Sequence, residues 1–291
     1  MTFLAILAAL AFDRLVPLVD DWRVVPWPAT YTAMMREQFE RLERWGGVAV
    51  VLVLVAPPLI VTGVLLLLLQ EIHFLLGFLF ALIVLIVSLG PRELTREVEA
   101  YAAATHSGDE ARARALATAL TGEEVPSDAG PRSQRVAQAI FVQANDRLFG
   151  VLFWFALTGP LGAILYRMTA ALRGALADSF GTNHPITDTA RRLHGFVAWL
   201  PARLLALSYA LAGSFEDAMA DWKAYYDRCS PRFFDVNDDV LACAGGGALR
   251  MALDEDEAGL SIVWSALGLV NRALIAWLVV IGFFTLVGLL L

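Results

Sequence analysis

Lysine is nearly missing from this 291-residue chain: Lys223 stands alone and the other basic residues are arginines. No lysine follows a glycine, which excludes a glycine-rich phosphate loop ending in Gly-Lys. Cysteine is scarce too. Cys229 and Cys243 fit no paired-cysteine metal or redox spacing, and they read as two unpaired thiols. The four histidines, His73, His106, His184 and His194, lack the spacing of a helical zinc motif, so no metal site is expected. Positive charge is not in excess. The net charge is −7, which makes nucleic acid a poor partner. Strand-like alternation, internal repeats and low-complexity tracts are also lacking in the sequence.

Apolar residues are what the chain has in quantity. They make up 58% of it against 18% charged, where soluble domains carry about 45–50% and about 25%. They come in unbroken blocks. A helix crossing ~30 Å of hydrocarbon needs ~20 such residues. Val48–Leu69, Leu148–Tyr166 and Ala273–Leu291 meet that with no charge, and Ile72–Leu89 with only His73. Two further apolar segments contain charge: Thr2–Val19 with Asp13 and Arg14, and Leu193–Gly213 with His194 and Arg203. A charge at mid-bilayer costs about 2.5–3.5 kcal/mol on insertion scales, so each of these two crosses with its charges facing protein or lies at the interface. The expected fold is an all-α integral membrane protein with four transmembrane helices and two ambiguous ones. No basic stretch precedes the first apolar run, which favours an uncleaved anchor over a signal peptide.

The polar segments set the expected organisation. Residues 1–90 form an N-terminal membrane part, 91–147 a cytoplasmic helical insert, 148–215 a membrane core, 216–267 cytoplasmic helices and 268–291 a last transmembrane helix. Thr30–Arg44 reads as an amphipathic helix. In the insert, Arg92–Thr105 and Ser107–Leu120 have helical spacing. Ser107 and Glu110 suggest a capping box, and Ser133 a cap for a helix reaching Asn145. Ser214 and Asp217 mark a helix start and Ser230-Pro231 a stop. Asp254–Glu257 is an acidic run, and Gly245-Gly246-Gly247 is expected to break a helix. Arginine is concentrated in Asp20–Arg44 and Pro91–Arg147 and missing from the Gln70–Ile72 turn. The bias toward cytoplasmic basic loops then makes Val48–Leu69 and Ile72–Leu89 an antiparallel hairpin in a bacterial inner membrane. Further along, either Leu148–Tyr166 crosses and Leu193–Gly213 returns, which is the favoured topology, or Gly159-Pro160 breaks the helix into a re-entrant form.

Specific motifs begin at Asp146-Arg147-Leu148-Phe149-Gly150, followed by Trp154, Thr158-Gly159-Pro160-Leu161-Gly162 and Tyr166-Arg167. Arg191-Arg192 and then Trp199-Leu200-Pro201-Ala202-Arg203 come later. These blocks, in this order, resemble the adenosylcobinamide-phosphate synthases of cobalamin biosynthesis, called CobD or CbiB, and more closely the AmpE proteins. The synthase pattern has Glu-Asn shortly before the aspartate, where this chain has Val142-Gln143. It has an Asn-Thr-x-Asp-Ser-Met block where this chain has Ala170–Ala175. Acidic and asparagine positions ahead of the second block are His194, Gly195 and Ala198 here. Pro17-Leu18-Val19 follows Asp13 where the pattern has Gly-Asp-Pro.

Joining a carboxylate to an amine with ATP calls for carboxylates on Mg²⁺ and polar groups on phosphate. With several of these replaced, the resemblance implies a non-catalytic regulator of the AmpE type. Such a protein is linked to β-lactamase induction and peptidoglycan recycling, with no resident cofactor. Its partners would be the bilayer, a recycling amidase and, in a homo-oligomer, further copies of itself. The cytoplasmic helices Arg92–Asn145 and Ser214–Leu253 would be the partner surface. The alternative is an amide-forming synthase that binds a nucleotide with Mg²⁺. A transporter is a weaker third reading.

Several residues carry two readings each. Asp146-Arg147 is a remnant polar site or a helix-end anchor. Arg203 is paired with Asp13, Asp146 or Asp188, or contacts a ligand. Arg191-Arg192 holds a phosphate or lipid headgroup, or simply anchors a helix. Tyr166 and Arg167 belong to the candidate polar site. Trp154, Gly159, Pro160, Gly162, Trp199 and Pro201 read as structural motif positions. The Asp235–Asp239 run lacks the glycine and closing glutamate of a calcium loop.

Overall fold

The computed structural model describes residues 2–15, 30–31, 34, 46–181, 183–228, 236–250 and 259–288. Among the described residues the chain is helical without strands: an all-α membrane protein. The helices are α1 (Thr2–Leu15), α2 (Gly47–Ile72), α3 (Phe74–Ser88), α4 (Pro91–His106), α5 (Glu110–Thr121), α6 (Ala129–Ala144), a π-helical turn (Asn145–Phe149), α7 (Gly150–Thr158), α8 (Pro160–Phe180), α9 (Pro185–Ala212), α10 (Phe215–Arg228), α11 (Asn237–Ala248) and α12 (Leu260–Leu286). They form two compact units. The first comprises Met1–Leu89, Gly150–Ala198 and Ile281–Leu291, the second Gly90–Phe149 and Trp199–Val280. Most of Thr30–Arg44, together with Ser230-Pro231 and Asp254–Glu257, lies outside the described residues.

Among the described residues, four helical stretches are long and apolar enough to cross a membrane: Gly47–Ile72, Ala129–Thr158, Pro185–Ala212 and Leu260–Leu286. Two of them are longer versions of expected spans. Pro185–Ala212 extends the ambiguous segment at Leu193, and Leu260–Leu286 begins well before Ala273. The expected span at Ile72–Leu89 is helix α3, with Ile72 ending α2 and His73 forming the joint. His73 Nδ1 accepts from the Leu75 N–H at 3.1 Å. Fifteen residues give α3 a length of about 22 Å, short of the ~30 Å hydrocarbon core.

The largest departure from expectation is at Leu148–Tyr166, which is not one helix. Gly159 has φ +69°, a left-handed conformation that favours glycine, and Pro160 opens the next helix. The chain reverses there. A Cβ on Gly150 would overlap the Tyr166 ring, whereas on a straight helix these residues would be about 24 Å apart. So α7 and α8 form a tight hairpin, and the apolar stretch of α7 joins the preceding α6 and π turn instead. In the same unit, α2 packs its Val50, Val51, Leu54 and Val55 on Met168, Leu172 and Leu176 of α8 and Ile186 of α9.

Local signals in the second unit also differ. The cap of α5 is Asp109, whose side chain accepts from the Arg112 N–H at 3.1 Å. The Ser107 hydroxyl turns back to Ala104 O at 3.0 Å, so no capping box forms. Ser133 lies inside α6, buried and bonded to Tyr101 Oη at 3.0 Å. Ser214 starts α10 by donating to Asp217 Oδ2, and the stop expected at Ser230-Pro231 lies outside the described residues. The glycine triplet does not break α11, which runs through it. The glycines serve close approach: a Cβ on Gly245 would enter the Phe141 ring, and one on Gly247 would lie 2.7 Å from Asp217 O.

Candidate functional site

In the second unit, Asn145 and Asp146 sit on the π turn and are buried. A π turn widens one turn of a helix and is often found at functional sites. Here it falls within the Ala129–Thr158 stretch, of whose apolar window 67% is buried inside the protein. Polar side chains are tolerated in such a helix because they face protein instead of lipid. Arg147 is tied down. Its Nε donates to Gln143 Oε1 at 3.0 Å and its Nη1 to Glu97 Oε1 on α4 at 3.0 Å. Gln143 in turn donates to Leu120 O at 3.3 Å, and Gly90 N–H donates to Arg147 O at 2.9 Å. Arg147 is thus held by the insert helices.

Arg203 is the other charged candidate in this unit. Its guanidinium donates to Asn237 Oδ1, to Tyr226 Oη at 3.3 Å and to Trp199 O at 3.4 Å. Its Cζ lies 5.1 Å from the centre of the Trp199 ring. Among the described residues, no aspartate is a partner of its guanidinium. Asp188 instead bridges Arg191 and Arg192, at 2.8 Å each, in the first unit, and the side chain of Asp13 lies outside the described residues. Beside the Arg203 cluster, Tyr225 Oη donates to Asp239 Oδ2 at 2.7 Å. Pro201 is buried within α9.

The first unit gathers Tyr166, Thr169 and His194. All three are buried, and the tyrosine and imidazole ring centres are 5.4 Å apart. Thr169 Oγ1 donates to Tyr166 O at 2.9 Å and lies 3.3 Å from His194 Nδ1. A carbonyl only accepts, so the hydroxyl proton is committed to it and His194 Nδ1 must be the donor to Thr169. Neutral His194 is therefore the Nδ1–H tautomer, with its lone pair on Nε2. Arg167 follows Tyr166 on α8 and is half-buried. Trp154 Nε1 donates to Val197 O at 3.0 Å. A Cβ on Gly162 would collide with Trp154 O and with the Thr158 hydroxyl, which itself donates to Trp154 O at 2.9 Å.

Sequence reasoning missed Asn237, Tyr226, Glu97, Thr169 and the role of His194. For Asn237 the signal was available: an arginine in an apolar run needs partners, but only carboxylates were considered. Among the described residues, no three His, Cys, Asp or Glu side chains converge on a metal site.

Comparison with known proteins gives the family. A family profile described as CobD/Cbib protein matches residues 6–260, most of the chain. The chain belongs to the CobD/CbiB family. It is 29% identical over 186 residues to the "Cobalamin biosynthesis protein CobD" of Stutzerimonas stutzeri, covering 61% of this chain and 58% of the relative. A protein of the same name from Chromobacterium violaceum is 27% identical over 180 residues, covering 62% and 56%. One from Pelobacter propionicus is 26% identical over 261 residues, covering 86% and 81%. The match thus spans less than three fifths of the first two relatives' length. No solved structure matches significantly.

These matches overturn the regulatory reading of the AmpE type. That reading took the replaced positions at Pro17–Val19, Val142-Gln143, Ala170–Ala175, His194, Gly195 and Ala198 as the loss of function. The match to relatives named for cobalamin biosynthesis runs instead across most of the chain. Asn237, which is none of those positions, also joins the Arg203 cluster.

Proposed function

We propose that this chain is a membrane enzyme of the cobinamide-phosphate synthase type, joining a carboxylate to an amine at the expense of ATP. In such a reaction the carboxylate oxygen takes a phosphoryl group from ATP, releasing ADP. The amine nitrogen then attacks the acyl carbon, phosphate leaves with the C–O bond electrons, and the amine proton passes to a base or to water. Such chemistry needs cationic groups on phosphate and at least one carboxylate beside the magnesium that travels with ATP.

Arg203 carries this reading. Among the described residues its direct partners are an amide, a phenol, a carbonyl and an indole face, all neutral. Its geometry is fixed while no direct contact with a described residue neutralises its charge, which suits a guanidinium meant for an anion. Arg147, Arg191 and Arg192 differ, since each lies on a carboxylate. Asp146, buried on the π turn, is the carboxylate we assign to magnesium. It suits metal arriving with nucleotide phosphates, where one or two carboxylates suffice. The family's cobalamin names and the basic loops support a place in the bacterial inner membrane, with the nucleotide on the cytoplasmic side.

The test uses purified protein in detergent. ATP with Mg²⁺ at a hundredfold above Kd should stabilise it by about 2.7 kcal/mol, read as a raised melting temperature. Arg203→Gln and Asp146→Asn should each abolish the shift. No shift in the wild type, and no ADP release with a corrinoid acid and an amino alcohol, would end the proposal.

A further inference from the structure

Only Gly213 and Ser214 join α9 to α10. Arg203 lies about two and a half turns before the end of α9, and Tyr226 about three turns past the start of α10. Their side chains meet at 3.3 Å. Both points are roughly 15 Å along their helices from the joint, so α10 folds back beside α9. The two helices are unlike in charge. On α10, the apolar Phe215 and Met219 share one exposed face with Tyr226, and Glu216, Asp217, Asp221, Lys223 and Asp227 occupy other faces. On the second half of α9, Leu204, Leu207 and Leu211 form an exposed stripe at helical spacing, with Leu211 71% exposed.

A helix with that many charges does not enter hydrocarbon. A segment bound along its side cannot run to the far face of the bilayer while α10 stays outside. We infer that residues 203–212 of α9 and helix α10 form a hairpin lying in the interfacial layer of the membrane. Leu204, Leu207, Leu211, Phe215, Met219 and Tyr226 turn toward the acyl chains. The occupant of this face is lipid. The stripe is the last part of an apolar helix, Pro185–Ala212, and Tyr226 is of the type that collects at membrane interfaces. The acidic residues of α10 outnumber its basic ones, so attachment comes from apolar burial and not from anionic headgroups. Arg203 then sits at headgroup depth, which removes the cost of a mid-bilayer charge. This inference does not depend on the enzymatic reading.

The test places single nitroxide labels at Phe196, Leu204, Leu211, Phe215 and Met219, and at Glu216, Lys223 and Asp227, in a chain carrying Cys229→Ser and Cys243→Ser. The protein is reconstituted in phosphatidylcholine vesicles, and collision with oxygen and with an aqueous metal chelate gives each label's depth. Depth should fall from Phe196 to Leu204 and then stay shallow and constant through Leu211, Phe215 and Met219. The labels at Glu216, Lys223 and Asp227 should meet the chelate. A maximum of depth near Leu204, with Leu211 at the opposite surface, overturns the inference. So do labels at Leu211, Phe215 and Met219 shielded from both reagents, the mark of a protein partner or a second copy.

Discussion

The helix Gly47–Ile72 and the helical stretch Ala129–Thr158 are both long and apolar enough to cross a bilayer, and they are built for opposite tasks. The first has 28% of its apolar window buried inside the protein, the second 67%. Gly47–Ile72 turns most of its surface to lipid, so almost any apolar side chain serves there, and more than half of its residues are valine or leucine. Ala129–Thr158 is surrounded by protein. It can therefore carry a π turn, buried Asn145 and Asp146, and an arginine held by Glu97. A membrane protein's informative helix is the one that looks less like a membrane helix.

Glycine substitutions should separate the two most strongly. Gly150→Ala drives a methyl into the Tyr166 ring, which is fully buried and cannot retreat. The expected cost is about 1–3 kcal/mol or more. At Gly63 a methyl meets only Leu161 Cδ2 at 3.6 Å, an ordinary contact, and Gly63→Ala should be neutral or gain up to about 1 kcal/mol through helix propensity. Thermal unfolding in detergent measures both, and equal effects would erase the contrast.

Next in size is the tie on the π turn. Arg147 is 15% exposed and Glu97 42%, so the pair is partly screened. A double-mutant cycle with Arg147→Met and Glu97→Gln should give a coupling near 1 kcal/mol. The same cycle on the more exposed Arg192 and Asp188 should give a few tenths at most. A coupling at Arg147 no larger than at Arg192 would show that the insert helices do not brace the turn.

His194 offers a sharper test of the buried polar groups. His194→Asn retains a donor for Thr169, and His194→Leu removes it. The leucine variant should be less stable by about 1 kcal/mol more than the asparagine variant, the cost of an unmet buried polar group. Nitrogen chemical shifts of the wild-type ring should report a proton on Nδ1 and a lone pair on Nε2. The opposite tautomer would contradict the hydrogen-bond assignment.

The reach of the sequence follows the same division between lipid and protein surroundings. Lipid-facing features were legible because the solvent alone dictates them: the α2–α3 hairpin, the apolar run of the last helix and the all-α class needed only block length. The arginine-centred motif was also visible, since a charge inside an apolar run stands out. Features set by protein neighbours were not. The break at Gly159-Pro160 was one of the two topologies that the sequence offers, but the direction of the reversal depends on Tyr166 meeting Gly150. The glycine triplet of α11 reads locally as a helix breaker, and nothing in its sequence announces that Phe141 and Asp217 press against it. The pairing of Arg203 with Asn237 links residues more than thirty positions apart, and no periodicity reports such a contact.

The smallest effect expected lies outside the apolar helices, where α10 begins against the end of α11. Asp217 accepts from the Ser214 hydroxyl and from Arg250 Nε at 2.7 Å, and these bonds hold its carboxyl below the usual carboxylate range, the Ser214 bond most of all. Arg250 reaches it from a left-handed backbone conformation with φ +56°, which costs a non-glycine residue about 1–2 kcal/mol. A depressed folded-state value means that this contribution is fully present above the ordinary aspartate range near 3.9. It is lost as pH falls through the lower folded-state value. Melting temperature followed downward from pH 7 should drop more steeply in the wild type than in Asp217→Asn, and the two curves should approach each other in acid. The site is solvent-exposed, so the separation is small and should shrink in high salt. Arg250→Gly relieves the strained backbone while removing the guanidinium. A variant as stable as the wild type at pH 7 would mean that the strain and the ion pair offset one another, leaving Ser214 as the group that holds the Asp217 carboxylate.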